Sequence, residues 1–170
     1  IFLIWHGGLP ILIIGIFAII CAVWYTAGPY ALAYIGGADI VAFLFFGPVA
    51  FLGTLYLQRG DWLWEWIGAG IGCGLISVAL LVVNNTRDIE TDQKVNKKTW
   101  AVRFGPIFCL IEYSLCITIP VLLLFSRPEF FQLSSIANWV YISSIVLLLI
   151  GSLLLTQTFI RANGNQWNRL

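Results

Sequence analysis

The chain of 170 residues is 60% hydrophobic and only 10% charged, with a formal net charge of +1. Soluble globular domains carry roughly 25% charged residues, so this composition excludes an ordinary soluble enzyme and indicates an integral membrane protein. The small net charge excludes no class of partner, and the placement of charge along the chain is more informative than its total.

Five apolar runs are each long enough to cross a hydrocarbon core as a helix, which takes about 20 residues. In chain order these runs are Ile1–Tyr25, Ile40–Gln58, Trp66–Asn85, Phe104–Ser126 and Phe130–Ile160. Helices are expected in all five, because an open strand cannot satisfy its backbone hydrogen bonds in lipid. The predicted fold class is therefore all-α, a polytopic bundle of transmembrane helices.

Four glycines alternate with other residues in the third run. They form two interleaved pairs at the small-x-x-x-small spacing, Gly68 with Gly72 and Gly70 with Gly74. Such pairs let a neighbouring helix approach the backbone closely. The third span is therefore predicted to lie inside the bundle.

Positive charge is shared unevenly between the connections. When successive spans alternate sides, the first, third and fifth connections lie on one face and carry seven Lys and Arg residues, against two on the other face. The excess of basic residues marks the cytoplasmic side of bacterial and other plasma membranes. The third connection, Thr86–Arg103, is therefore predicted to be cytoplasmic.

The stretch Asn84–Gly105 places eight formal charges at the end of a span. On a helix, Asn84, Asp88 and Asp92 recur at i, i+4 and i+8 and so share one face, with Asn85 beside them. Two carboxylates one turn apart, together with amide oxygens, suit Mg²⁺, which completes its coordination with water and phosphate oxygens. The spacing therefore predicts a magnesium site that binds a phosphorylated substrate.

Basic residues follow the two aspartates at Arg87, Lys94, Lys97, Lys98 and Arg103. Arginine forks and lysine ammonium groups are the usual protein partners of phosphate oxygens. In most proteins a loop of alternating acids and bases is only a solvated surface. Two features favour a functional site here, because the acids have helical spacing and their helix continues a membrane span.

The motif N-N-x-R-D-x-x-x-D, followed by K-x-T and V-R-x-G, resembles the second aspartate-rich motif of the UbiA superfamily of intramembrane prenyltransferases. Its form is similar to the menaquinone-pathway branch, which prenylates 1,4-dihydroxy-2-naphthoate. An upstream Y-T-x-G-P-Y segment at Tyr25–Tyr30 resembles the same branch, as do the F-F-G and Y-L-Q sequences that follow it. The matching residues of the charged stretch are Asn84, Asn85, Arg87, Asp88, Asp92, Lys97, Thr99, Val102, Arg103 and Gly105.

The resemblance implies a role for each charged residue of the motif. Asp88 and Asp92 would bind one Mg²⁺ and hold a polyprenyl diphosphate. Arg87, Lys97 and Arg103 would act in catalysis by stabilising the negative charge that grows on the departing diphosphate. The allylic C–O bond would then break, and the resulting carbocation would be attacked by an electron-rich aromatic ring.

The resemblance also implies the surroundings of the substrates. Tyr25, Thr26 and Tyr30 are predicted to border the pocket for the aromatic acceptor, and Asn84 and Asn85 are predicted to contact substrate. The partners implied are polyprenyl diphosphate, the acceptor 1,4-dihydroxy-2-naphthoate and the lipid bilayer. The implied location is a bacterial inner (plasma) membrane, crossed several times.

The chain departs from the family pattern in three places. Asn96 stands where glycine is usual, and because asparagine tolerates left-handed backbone, the turn is predicted to be preserved. Trp100 stands where a smaller aliphatic residue is usual. The first aspartate-rich motif, N-D-x-x-D-x-x-x-D, occurs nowhere in these residues. Residues 1–170 are therefore expected to be one incomplete prenyltransferase domain, without the N-terminal spans and the last span, and inactive alone.

Three alternatives stay open on the sequence alone. Within the superfamily, the acceptor could be 4-hydroxybenzoate, homogentisate or haem, since these enzymes differ in the pocket and not in the aspartates. A transporter would also place carboxylates near helix ends, but it favours inverted repeats and polar residues at mid-membrane depth, a pattern that only Glu112 approaches. A membrane scaffold would use the charged loop for docking, and its aspartates would be dispensable.

Overall fold

The computed structural model describes residues 2–28 and 30–125, with five single positions beyond them, 142, 143, 146, 150 and 157. Every regular element within these residues is helical, which confirms the all-α class. The elements are α1 (Phe2–Thr26), α2 (Leu32–Ile35), α3 (Ala38–Leu44), a π-helical segment (Phe45–Val49), α4 (Ala50–Arg59), a 3₁₀ turn (Trp64–Trp66), α5 (Ile67–Arg87), α6 (Ile89–Lys94) and α7 (Trp100–Phe125).

Four helical stretches are long and apolar enough to cross a membrane: Phe2–Thr26, Ala38–Arg59, Trp64–Arg87 and Trp100–Leu123. They confirm the first four predicted spans within a few residues at each end. The fifth predicted run, Phe130–Ile160, lies almost wholly outside the described residues. The chain divides into two compact units, Ile1–Leu123 and Leu124–Leu170, and all four helical stretches belong to the first.

Prolines interrupt the spans that hydropathy predicted as continuous. In α1 the backbone leaves helical geometry at Gly8, with φ 64°, two residues before Pro10. In α7 it does so at Gly105, with φ 79°, next to Pro106. A proline inside a helix lacks the N–H of one backbone hydrogen bond and collides with the preceding turn, and glycine absorbs the resulting change of direction.

Glycines bring α5 close to the second span. A methyl group added at Gly74 would lie 2.5 Å from the carbonyl oxygen of Phe43, and one added at Gly70 would lie 3.0 Å from Cα of Pro48. Both gaps are too short for a side chain, so the two backbones approach as the small-x-x-x-small spacing predicted. Gly68 has open space around it, which shows that only one of the two predicted pairs makes this contact.

The buried core joins α5 to α7. Its residues come from the second half of α5 and from positions 101 to 116 of α7. The core residues are Val78, Ala79, Val82, Ala101, Cys109, Tyr113 and Cys116. Because α5 ends and α7 begins at the charged stretch, this core holds both ends of that stretch in place.

Candidate functional site

Asp88 lies at the junction of α5 and α6, with φ −96° and ψ 9°. The predicted uninterrupted helix through this point is wrong, since α5 ends at Arg87 and α6 begins at Ile89. The helical hydrogen bonds nevertheless continue, because the Asp88 N–H donates to Asn84 O at 3.1 Å and the Asp92 N–H to Asp88 O at 2.8 Å. The one-turn spacing of the three residues therefore survives the bend.

Arg87 binds the Asp88 carboxylate through two hydrogen bonds. Its Nε donates to Oδ1 at 2.8 Å and its Nη2 to Oδ2 at 2.9 Å. These hydrogen bonds, together with the charges of Arg87 and Lys97, hold the pKa of Asp88 below its ordinary value of 3.8. Asp88 is therefore ionised at neutral pH, as a metal ligand must be.

Lys97 makes the matching contact to Asp92, and this pair is more buried. The Lys97 ammonium lies 3.0 Å from Oδ2 and 3.2 Å from Oδ1, and the Asp92 side chain is only 10% exposed. The turn between them is closed by a hydrogen bond from the Lys97 N–H to Asp92 O at 2.9 Å. Asn96 in this turn has φ 55°, which confirms the predicted left-handed residue.

Residues Tyr34–Gly36, here called the upstream segment, contact the charged stretch through their main chain. The Lys98 N–H donates to Tyr34 O, and Arg103 Nη2 donates to Ile35 O, both at 2.8 Å. Gly36, with φ 81°, lies so close that an added methyl group would be 2.9 Å from Lys98 O. Arg103 therefore holds the upstream segment in place through one of its N–H groups, and the contact with the diphosphate predicted for it stays a prediction.

Two residues at the start of α7 complete this contact. Thr99 is 1% exposed, and its hydroxyl accepts a hydrogen bond from the Val102 N–H at 3.3 Å, so it caps the helix. The Trp100 ring lies 3.1 Å from the position of a methyl group added at Gly36, and packs edge-on against Phe108. These contacts account for the large residue at position 100.

Asp39 is a site residue that the sequence reasoning missed. It lies in the first turn of α3, is 3% exposed, and its Oδ2 atom has no hydrogen-bond partner among the described residues. The Lys97 charge acts on its carboxyl group. The sequence did contain a signal, because Asp39 is a lone acid at the head of a long apolar run.

An apolar cavity of about 740 Å³ leads away from the charged stretch. Its walls come from α1, α3, the π-helical segment and α5, and Tyr25, Ser77 and Asn84 are the residues with polar side-chain atoms in an otherwise aliphatic and aromatic lining. Asn84 precedes Asp88 by one helical turn. The cavity therefore ends at Asn84, one helical turn before Asp88, and extends from there among apolar side chains.

The structure does not gather the other residues predicted to contact substrate. Tyr25 lines the cavity, whereas Tyr30 is 70% exposed and accepts the Trp24 indole N–H on its main-chain oxygen at 3.0 Å. Thr26 is exposed at the end of α1, and Asn85 is buried without lining the cavity. Their contacts with substrate stay predictions.

The donor atoms at Asp88 and Asp92 fit Mg²⁺ better than a metal that needs a closed protein cage. No group of three or more His, Cys, Asp and Glu side chains that could hold a metal occurs in the described part of the chain. Zinc and calcium sites draw most of their ligands from the protein. Magnesium usually takes one or two protein carboxylates and fills its other positions with water and substrate phosphate.

Comparison with known proteins identifies the family of the chain. The model of the UbiA prenyltransferase family matches residues 1–170, the entire chain. The chain belongs to the UbiA prenyltransferase family. This family membership confirms the resemblance on which the site residues were predicted, and no solved structure matches the chain.

Bacterial and eukaryotic relatives of this UbiA-family chain share its sequence over long segments. A 1,4-dihydroxy-2-naphthoate octaprenyltransferase of Escherichia coli is 34% identical over 81% of this chain and 44% of its own length. One of Haemophilus influenzae is 45% identical over 54% of this chain and 30% of its own length. A UbiA prenyltransferase domain-containing protein 1 of Dictyostelium discoideum is 38% identical over 61% of this chain and 32% of its own length. The chain thus spans less than half the length of these relatives.

Proposed function

We propose that the full-length protein carrying this chain transfers a polyprenyl group from polyprenyl diphosphate to 1,4-dihydroxy-2-naphthoate, a step of menaquinone biosynthesis. The observation that carries the proposal is that an apolar cavity reaches Asn84, which precedes Asp88 and Asp92 by one and two helical turns. A prenyl diphosphate has the same division into an apolar tail and a polyanionic head. The names of the bacterial relatives support the choice of acceptor.

The head of the substrate would bind at Asp88 and Asp92 through Mg²⁺. When bound, Mg²⁺ would neutralise diphosphate oxygens and so favour cleavage of the allylic C–O bond. Arg87 and Lys97 already lie at these carboxylates, so a diphosphate held there is within reach of both side chains. Their N–H groups would donate to the oxygens on which negative charge grows as the bond breaks.

The tail of the substrate would lie in the apolar cavity. Its volume of about 740 Å³ falls within the usual range for ligand sites, and its lining suits an isoprenoid chain. Asn84 and Tyr25 would mark the polar end, where the allylic carbon meets the aromatic ring. Arg103 would contribute indirectly, because its bond to Ile35 O holds the upstream segment against the charged stretch.

The site would face the cytoplasm of a bacterial plasma membrane. The basic residues of the charged stretch favour that side by the positive-inside bias. Four helical stretches able to cross the membrane make the protein a multi-pass one. The acceptor and the diphosphate head are water-soluble groups, and they would reach the aspartates from the aqueous phase.

An acceptor assay on membranes tests this function. Membranes with the full-length protein should transfer a labelled prenyl group to 1,4-dihydroxy-2-naphthoate with Mg²⁺ and not after chelation by EDTA. Parallel reactions contain 4-hydroxybenzoate or homogentisate and should be slower. Faster transfer to either of these would overturn the choice of acceptor, and failure with all three would overturn the enzyme itself.

A further inference from the structure

The Asp39 carboxyl group is buried and incompletely bonded. It is 3% exposed, and its Oδ2 atom has no hydrogen-bond partner in the part of the chain that the structure describes. Polar atoms removed from water are nearly always bonded, because leaving one unpaired costs folding free energy. We therefore expect Asp39, which lies beside the site, to gain a hydrogen-bond partner in another state of that site.

Lys97 is the cation placed to be that partner. Its ammonium group has three N–H donors, and both of its hydrogen bonds go to Asp92. The segment that carries it contacts the residues just before α3, because the Lys98 N–H donates to Tyr34 O at 2.8 Å and a methyl group added at Gly36 would lie 2.9 Å from Lys98 O. Lys97 therefore pairs with Asp92 of α6 in a segment that packs against the start of α3, which carries Asp39.

The other charged groups near Asp39 do not offer it a hydrogen-bond donor. Glu112 of α7 interacts with Asp39 electrostatically, but it is a carboxyl group and adds negative charge to the same interior. The Nε and Nη2 atoms of Arg87 both donate to the Asp88 carboxylate. Arg103 donates to Ile35 O, and Lys97 is the partly buried cation next to the contact between Lys98 and the residues before α3.

We propose that Asp39 is a positioning residue that accepts the Lys97 ammonium group when Asp92 coordinates a divalent cation. This inference rests on the metal site of the proposed function and adds a role for a residue outside the aspartate-rich motif. A cation at Asp92 competes with Lys97 for the same two oxygens and repels its charge. Asp39 supplies a second carboxyl group at the start of α3, in an interior where an unpaired ammonium is costly.

After this movement, the Lys97 charge can still act on the diphosphate during the reaction. With its ammonium shared with Asp39, Lys97 no longer blocks a metal ligand, and its charge stays beside the place where the diphosphate would lie. Asp39 would thus raise the affinity of the site for the metal without touching the metal or the substrate. A purely structural Asp39 would stabilise the fold equally whether Lys97 is present or absent.

A double-mutant cycle on metal binding separates these roles. Mn²⁺, used in place of Mg²⁺, is titrated into the detergent-solubilised full-length protein and followed by electron paramagnetic resonance. The proteins compared are the wild type, Asp39→Asn, Lys97→Met and the double variant. Asp39→Asn should weaken Mn²⁺ binding about tenfold, the usual effect of losing a hydrogen bond to a charged group.

The expected coupling gives the decisive result. In the Lys97→Met background, Asp39→Asn should change Mn²⁺ affinity less than about threefold, because the Lys97 ammonium group that Asp39 would accept is absent. Lys97→Met alone should tighten binding, since it removes the competitor for Asp92. Glu112→Gln, which removes another carboxyl group near Asp39, is the matched control and should leave Mn²⁺ affinity unchanged.

Three results would overturn the inference. Equal weakening by Asp39→Asn in both backgrounds would make Asp39 structural, and so would no weakening in either background. Absence of Mn²⁺ binding by the wild type would overturn the proposed metal site as well, so the two failures are distinguishable. Unfolding midpoints identify folded variants, and Asp39→Ser takes the place of Asp39→Asn in the cycle if that variant does not fold.

Discussion

The two ends of α5 are built from different residues. At the first end, aromatic rings stack in series, with centroids 4.6 Å apart between Tyr56 and Trp62 and 5.7 Å apart between Trp62 and Trp64. At the other end lie the buried polar and charged residues of the described chain: Asp39, Asn85, Thr86, Asp92 and Thr99. The aromatic end needs only the interface to explain it, as in other membrane proteins.

The difference indicates that the protein gives up stability at its polar end in favour of the proposed function. Burying polar groups costs free energy unless they are bonded, and a membrane anchor has no need of it. The polar end nevertheless buries five such residues and brings two separate motif segments into contact. A substitution at one end of the bundle can therefore be compared with the substitution of a similar residue elsewhere.

The largest effect is expected from the aspartates of the polar end. Asp88→Ala and Asp92→Ala in the full-length protein should each lower prenyl transfer at least about 100-fold, because each removes a proposed metal ligand. Asp61→Ala and Glu65→Ala, at the aromatic end, should leave transfer near the wild-type rate. The measurement is product formed per amount of membrane protein, and full activity in either Asp88→Ala or Asp92→Ala would exclude the metal role.

Two glycine substitutions, one at each end, compare the ends at positions that have similar left-handed backbone. Gly36 and Gly60 both end helices with left-handed backbone, φ 81° and 83°. Gly60→Ala has open space and should cost about 1–2 kcal/mol for its backbone conformation alone. Gly36→Ala meets Lys98 O and the Trp100 ring, so overpacking should add about 1–3 kcal/mol.

Thermal unfolding in detergent measures this pair of variants. The Gly36→Ala midpoint should lie below that of Gly60→Ala, and prenyl transfer should fall only in Gly36→Ala, because the upstream segment is displaced from the charged stretch. Equal midpoints would mean that the contact between Gly36 and Lys98 does not constrain the fold.

A smaller effect is expected at the cap of α7. Thr99→Val removes the acceptor of the Val102 N–H and should cost about 1 kcal/mol of stability, while Thr99→Ser should restore most of it. Thr54 is the control, because its hydroxyl bonds Ala50 O within α4 and caps no helix. Thr54→Val should therefore lower the unfolding midpoint less than Thr99→Val, and the reverse order would contradict the cap.

The smallest effect is the pH dependence of the Arg87–Asp88 pair. Because Arg87 lowers the pKa of Asp88, the stabilisation from this pair is complete above the ordinary Asp pKa of 3.8 and is lost as pH falls through the lower folded-state value. Both side chains are exposed, so the effect is weakened by solvent. The difference in unfolding midpoint between wild type and Arg87→Met should be constant near neutral pH and shrink in acid, and growth of the difference in acid would contradict the pairing.

The sequence predicted the spans and the residues of the motif, but not their contacts. Hydropathy places helix ends well because the apolar length needed to cross a membrane is fixed. It does not reveal the breaks at Gly8 and Gly105, which depend on local backbone geometry next to proline. The prediction for Asn96 was confirmed because left-handed tolerance is a property of the residue itself.

Other parts of the site depend on contacts between distant segments. Arg103 was predicted to bind an anion, and the structure adds a hydrogen bond from its Nη2 to Ile35 O, 68 positions earlier in the chain. Asp39 belongs to none of the motifs, and its burial appears only in the structure. Such pairings arise from the packing of α3, α6 and α7, which a pattern along the chain does not specify.

The central claim is that the polar end of α5 binds a metal and a diphosphate together. Inorganic diphosphate is added to the detergent-solubilised full-length protein, with and without Mg²⁺, and the unfolding midpoint is measured. The account predicts that diphosphate raises the midpoint only when Mg²⁺ is present, and that Asp88→Ala abolishes this rise while Asp61→Ala preserves it. An equal rise in Asp88→Ala, or a rise that is independent of Mg²⁺, would contradict the claim.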